Sequence, residues 1–378
     1  MGMSIETSAV TGFPPNIKLE MLTAAFWIGR APESERVLFS PEAIAAFNAR
    51  VPDRSSIPAV FDLPDTLSAA RVRDEIAQYE RPAVPRYGID GDQLDDDYFD
   101  ALLENATPDL PDHVTVRFGV VTRRTELRAF PTAEPVTREP FAFAFDRIQE
   151  TAVDIGWPVA VVATSRDGRW FFALTPGYWG WLRAETVAFG LRDQIVQVVN
   201  AEPFVVTIGS RTLVAVAEQG SVTPQMGTRL PLTTEHEAAF QVVVPQRTSI
   251  GTPRLGEGWI AKASNDASIG YLPFSVDTLL TQAFKLLGER YSWGGSRMGI
   301  FGRDCSRLVR DVYATTGVLL PRNGDLQERA AIARVQFTPE MNSGERLTLV
   351  LERATPGAIV VLPGHVMLYL GAVDSIPY

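Results

Sequence analysis

The sequence predicts a multi-domain α+β chain. A mostly helical N-terminal module covers 1–112, two small β-barrels cover 113–190 and 191–272, and a C-terminal domain with helices before strands covers 273–378. The 378 residues suffice for two to four domains at roughly 100–200 residues each. The apolar pattern changes at His113 from helical spacing to short alternating stretches, and returns to helical spacing near Ser275. With 46% hydrophobic and 21% charged residues the blocks can bury cores, and wholesale disorder is excluded.

In the first block, FSPEAIAAFNARV reads as a helix with Ser40 as N-cap and Pro41 at the first helical position. Ile44 and Phe47 then share a face. YGIDGDQLDDDYFDALLENA reads as a turn at Asp90–Gly91, then a helix with Tyr98, Phe99, Leu102 and Leu103 on its apolar side. Asp95, Asp96 and Asp97 fall in its first turn, where the helix dipole favours negative charge. A calcium loop fails there, because Leu94 and Asp95 occupy the places of its third ligand and its glycine.

From His113, VTVRFGVVTRRTELRAFP and GWPVAVVATSRDGRWFFALTPGYWGWLRAETVA are β-branched and aromatic runs cut by DG, PG and GW. A second series runs from IVQVVNAEPFVVTIG through TLVAVAEQGS and FQVVVPQR to GWIAKASNDASIGYLPF. Each holds about five short strands, the size of a small SH3-like barrel. Trp170, Tyr178, Trp179 and Trp181 read first as barrel core and rim, and second as a platform facing a ligand groove. In the last block, DTLLTQAFKLLGERY places Leu279, Leu280, Phe284 and Leu287 at helical spacing, and YSWGGSRMGIFG is a glycine-rich loop. DCSRLVRDVYATTG is a second helix that buries Leu308, Val309, Val312 and Tyr313 and ends at Gly317. GAIVVL and HVMLYLG are strands joined by a turn at Pro363–Gly364.

The formal charge of −10 disfavours a nucleic-acid partner, since an acidic surface repels phosphates. The arginines are scattered, and lysine occurs only as Lys18, Lys262 and Lys285. A single cysteine, Cys305, excludes an intramolecular disulfide and a cysteine-based zinc site, and no metal or other cofactor is expected. No apolar run reaches the ~18–20 residues of a membrane span. MGMSIETSAVTGFPPNIKLE lacks a basic start followed by an apolar stretch, so as written a cytoplasmic location without membrane contact is expected. A start codon set too far downstream would hide a leader and make the protein periplasmic or secreted.

Cys305 lies where a loop becomes a helix. Such a place carries partial positive charge and unpaired N–H groups, which favour thiolate over thiol and help hold an oxyanion. Asp304 and Ser306 beside it are polar residues that a site can use. His365 opens a strand 60 residues later. A cysteine on a helix N-terminus followed by a histidine on a strand is the papain-like order for nucleophilic catalysis. The imidazole takes the thiol proton, and the thiolate attacks an acyl carbon. A buried structural cysteine and a structural histidine are the plainer readings. His113 and His236, each beside acids, read as surface residues.

The motifs occur in one order: Tyr291-Ser-Trp293-Gly294-Gly295, Asp304-Cys305-Ser306, Leu320-Pro321-Arg322 with Gln327, Pro356-Gly357, and Gly364-His365-Val366 with Tyr369-Leu370-Gly371. That order and spacing resemble the NlpC/P60 cysteine peptidases, which are papain-like cell-wall endopeptidases. Upstream, FSPEAIAAFN resembles the N-terminal helical module of one multi-domain branch, and FDRIQ with SRDGRWFFA and GWL resembles its bacterial SH3 domain.

The resemblance implies a papain-like catalytic domain behind a helical module and two SH3-like barrels. It implies hydrolysis of the bond between γ-D-glutamate and meso-diaminopimelate or lysine in murein stem peptides. Cys305 would be nucleophile and His365 general base, then acid to the leaving amine. Tyr291 matches the tyrosine near the oxyanion and substrate carbonyl. Asp304 and Ser306 match positions that contact the peptide, and Trp293 and Arg322 complete the implied substrate-binding set. In SH3-bearing relatives an acid of the first barrel captures the free amine of L-Ala, which restricts them to peptides already cut from glycan, as in recycling. Asp146 and Glu150 are the two acids considered for that task here.

Three places depart from the family pattern. Arg307 stands where many relatives have glycine. Asn323-Gly324 follows Pro321-Arg322, where relatives often have a serine or an acid. Relatives also orient the histidine with a third polar residue on the following strand. Here HVMLYLG ends at Gly371 and AVDSIP reads as a turn, so the residue opposite His365 is expected beyond Tyr378 and the domain reads as C-terminally truncated. Losing such a group in an analogous triad lowers the rate by about 10⁴. The HVMLYLG edge would also lack a pairing partner, and Asp374 could replace the missing group only if the turn folds back. The alternative expectation is therefore a non-catalytic or weakly active peptidoglycan-fragment binder.

Overall fold

The computed structural model describes residues 16–51, 58–217 and 220–378; the absence of a leader, read from the first residues, concerns positions that fall mostly outside them. The expected first helix forms over Pro41–Asn48, where the Ser40 hydroxyl accepts from the Ala43 N–H at 3.3 Å. It has no fully buried residue of its own. Ile44 and Phe47 lean on the core of the C-terminal domain, and the Asn48 side chain bonds to Gly317 and Leu319 of that domain. Met21 and Trp27 likewise pack with Val276 and Leu280.

Residues 58–112 instead belong to the first barrel. Val60, Leu63, Val72 and Ala106 enter its core, and Phe99 and Leu102 of the Asp96–Asn105 helix pack against Phe130 and Ile148. The N-terminal segment thus divides its apolar residues between two neighbours.

The first barrel is a seven-stranded antiparallel sheet in the order 149–153, 125–128, 179–183, 170–174, 158–164, 117–121, 187–189. Leu127, Phe172, Trp181 and Leu182 are wholly inside, and Trp170 and Trp179 are buried. The three tryptophans are therefore core, and only Tyr178 of the aromatic set faces a groove.

The second barrel is also a seven-stranded antiparallel sheet, built around the long hairpin Ala239–Arg247 with Pro253–Ala261. Its core is Val205, Leu230, Val242 and Ile260. One expected strand is corrected: IVQVV lies in the Arg192–Val199 helix, with Ile195 buried against the first barrel. Asp193 in the first turn and Gln194, whose side chain accepts from the Leu191 N–H, favour the helix over a β-branched strand.

In the C-terminal domain, helices Val276–Phe284 and Cys305–Ala314 pack through Leu279, Val309, Val312 and Tyr313 against Val366 of a two-stranded sheet. The first helix ends sooner than its sequence pattern suggests. Leu286 is buried after the last turn and Leu287 is exposed, which corrects the expected apolar face. Two further helices, Gly324–Ala330 and Ser343–Arg353, were not expected. Among the described residues no helix is long and apolar enough to cross a membrane.

Candidate active site

The local sequence fixes where the cysteine helix begins. Asp304 is its N-cap: Oδ1 accepts from the Arg307 N–H at 2.9 Å. Oδ2 accepts from the Gly294 N–H at 3.0 Å and from Arg322 Nη2 at 2.6 Å. Gly294 has φ of 62°, and a Cβ there would meet the Gln149 carbonyl oxygen at 2.7 Å, so a glycine is required at this close approach. Arg322 directs its other donors to Ser306 Oγ and Thr151 Oγ1, each at 2.8 Å. Burial alone would raise the Asp304 pKa, but the Arg322 cation and the two backbone N–H groups outweigh it and hold the carboxyl below its ordinary range. The helix start is an ionised, fully partnered knot.

Cys305 is half-buried at that helix start. On the sheet, His365–Leu368 pairs antiparallel with Ile359–Leu362 across the Pro363–Gly364 turn, where Gly364 takes φ of 77°. Strand alternation turns Val366 into the core and leaves His365 on the open side. Cys305 and His365 line one open groove of about 1490 Å³.

Tyr291 and Trp293 line the same groove. Burial, and after it the nearby Asp304 carboxylate, push the Tyr291 hydroxyl up to about 12. It is therefore a proton donor at neutral pH. The first barrel supplies the facing wall through Arg147, Gln149, Glu150 and Tyr178. Glu150 is the extra residue of a β-bulge, because Leu127 pairs with Thr151 and Arg128 with Gln149. Such a bulge re-aims a side chain. Burial raises the Glu150 carboxyl to about 7, against the pull of Arg322 and Arg128. Asp146 is engaged elsewhere: it is buried, pairs with Arg128 at 2.9 Å, and accepts from the Val136 and Ile148 N–H groups. Of the two barrel acids, Glu150 is the one at the groove.

One match covers this site: residues 288–376 match the NlpC/P60 family. The chain carries an NlpC/P60 domain. Residues 137–183 match an SH3 domain of the SH3b1 type, which falls in the first barrel; the second barrel lies outside that match. A curated relative, the gamma-D-glutamyl-L-lysine dipeptidyl-peptidase of Bacillus cereus (strain ATCC 10987 / NRS 248), is 26% identical over 196 residues. The match covers 49% of this chain and 55% of that protein, so the chain spans about half the length of the curated relative it matches. The solved structure of an NlpC/P60 endopeptidase from Photobacterium damselae subsp. piscicida agrees with a TM-score of 0.71 at 18% identity. It covers 90% of this chain and 80% of that one, and at this identity it shows the shared fold.

Within the NlpC/P60 domain all seven residues singled out from the sequence line the groove: Tyr291, Trp293, Asp304, Cys305, Ser306, Arg322 and His365. Asp304, Ser306 and Arg322 are the three expected to bind substrate that lie deepest in its wall. They form a buried floor whose polar atoms are committed to one another. Asp374 sits exposed in a turn with φ of 51°, and among the described residues no side chain hydrogen-bonds His365. The His365–Leu368 strand pairs with Ile359–Leu362 alone among the described residues. His113 and His236 are exposed outside the groove.

The sequence reading missed Arg147, whose guanidinium covers the Trp293 ring at 4.7 Å, and the hydrogen bond from the Tyr178 hydroxyl to Asn323. No periodicity marks either one. Only the barrel-to-domain packing brings them together.

Proposed function

We propose that this chain is a cysteine peptidase that hydrolyses the γ-D-glutamyl–diamino acid bond of peptidoglycan stem peptides, preferring freed peptides with an N-terminal L-Ala. One observation carries the reading: Cys305, at a capped helix N-terminus, and His365, on the neighbouring sheet, open on the same groove. The NlpC/P60 match and the name of the curated relative support a peptidase of this kind.

In this reading His365 takes the Cys305 proton, and the thiolate adds to the γ-carbonyl carbon of D-glutamate. Tyr291, kept protonated, donates toward the developing oxyanion. The C–N bond breaks as His365 returns the proton to the leaving amine. Water, activated by the same imidazole, then cleaves the thioester and frees Cys305. Glu150 meets the ammonium of L-Ala at the barrel wall, so a peptide still attached to glycan, which has an amide there, leaves the carboxylate unpaired. That preference fits a role in murein recycling.

Incubation with L-Ala-γ-D-Glu-diaminopimelate, and with its lysine counterpart, tests the proposal. The expected result is release of the free diamino acid, abolished in Cys305→Ala. A second reading, a peptidoglycan-fragment binder, is favoured by the lack of a described partner that orients His365. Tight binding of both peptides by the wild-type chain without product would establish it and overturn the first.

A further inference from the structure

The strand that carries Glu150 is fastened to the NlpC/P60 domain on both sides of that residue. Before it, Gln149 Nε2 donates to the Gly294 carbonyl at 3.2 Å. After it, Thr151 Oγ1 accepts from Arg322. The next ties come from one side chain. Arg307 Nη1 donates to the Ala152 carbonyl at 2.8 Å and Nη2 pairs with Asp154, both in the barrel, while Nε pairs with Asp311 one turn along its own helix at 2.6 Å. Arg307 and Asp154 are each 1% exposed. Arg307 also sits in the first turn of the cysteine helix, two residues after Cys305, yet it does not line the groove.

A guanidinium is a flat fork whose donors hold three acceptors in fixed directions. Here it ties the first turn of the cysteine helix to the strand that presents Glu150. Resting on the reading that Glu150 meets the substrate ammonium, we propose that Arg307 is a positioning residue: it sets the span from Glu150 to Cys305 and so the number of residues accepted ahead of the scissile bond. Each further residue adds up to ~3.3–3.6 Å of chain, so a span held to within a fraction of that distance counts residues. If the span drifts, the ammonium can reach Glu150 or the carbonyl can reach the thiolate, but not both at once.

The test compares three substrates in the full chain: L-Ala-γ-D-Glu-diaminopimelate, its N-acetyl form, and the same peptide with one extra N-terminal residue. The variants are Arg307→Met, which keeps the bulk, and Asp154→Asn, which keeps Arg307 and removes its anion on the barrel side, an anion that Arg124 shares at 3.7 Å. The wild type is expected to favour the free dipeptidyl substrate. Both variants are expected to lose about 10²-fold in kcat/KM on it, the scale of a 1 Å misplacement, and to lose much less on the other two, so that selectivity collapses. A merely structural arginine would lower all three together, and losses that are equal on all three substrates would overturn the proposal. So would unchanged ratios. A wild-type chain that cleaves free and N-acetyl peptides alike removes the role of Glu150 itself, which is a different failure. If the wild type cleaves none, the same ratios are read from binding, and identical ratios in wild type and Arg307→Met overturn the proposal.

Discussion

Glu150 is a carboxyl at a groove wall, half-buried and, among the described residues, without a hydrogen-bonding side-chain partner of its own, and its pKa of about 7 against an ordinary 4.5 has two consequences. Between those values the folded chain holds a proton that the unfolded chain releases. The group therefore contributes stability in full below pH 4.5, and that contribution is lost as pH rises through 7. Glu150→Gln, which removes the titration, is expected to be more stable than wild type above pH 7 by about 1–3 kcal/mol, with no gain below pH 4.5. Urea unfolding at both ends of that window measures it, and a pH-independent difference would refute it. Binding moves the opposite way. Only the ionised carboxyl pairs with an ammonium, so KM for the free-amine peptide is expected to rise as pH falls below about 7. The α-amino group of the peptide deprotonates at roughly 7.7–8.0, which closes the window from above. The N-acetyl peptide should show neither limb.

At the scale of single elements, the start of the cysteine helix depends on a buried ion pair. Removing one member leaves the other charged and unpaired inside the protein, at about 3–5 kcal/mol. Arg322→Met is expected to destabilise the chain by that amount in urea unfolding, and the double change Arg322→Met with Asp304→Asn by clearly less. A double variant as unstable as the single one would show that packing, not charge, is what matters there. Much of this element could be read beforehand. The helix, its apolar face and its Asp304 start follow from spacing within ten residues. The Arg192–Val199 helix could not, because a β-branched run satisfies strand and helix equally until neighbours choose. The bulge at Glu150 was equally illegible: it is a mismatch between two strands, and neither strand's sequence contains it. Leu287 failed for a smaller reason, since the helix stops before the spacing does.

The contacts between domains were the least legible, because they join residues far apart in the chain and follow no local pattern. Arg307 stood out from the sequence as a departure, and its partner Asp154 lies 153 residues away. Arg303 works in the same way toward the second barrel. It is 3% exposed; Nε pairs with Asp311 at 2.9 Å, Nη1 with Glu289, and Nη2 donates to the Ser210 carbonyl at 3.0 Å. Lys285 Nζ reaches the Ile208 carbonyl at 3.0 Å, and Arg211 returns a bond to the Phe301 carbonyl. Asp311 is thus shared by Arg307, which faces the first barrel, and Arg303, which faces the second. One carboxylate on the cysteine helix couples three bodies. The wild-type chain is accordingly expected to melt in one calorimetric transition, with its domains unfolding together. Asp311→Asn leaves two arginines buried without their shared anion, so its loss of about 3–5 kcal/mol should fall on the junctions and split the transition in two. Arg303→Met should release the second barrel alone, leaving the first barrel and the NlpC/P60 domain to melt together. Single transitions that merely shift to lower temperature in both variants would show that apolar packing, not this network, holds the domains to one another.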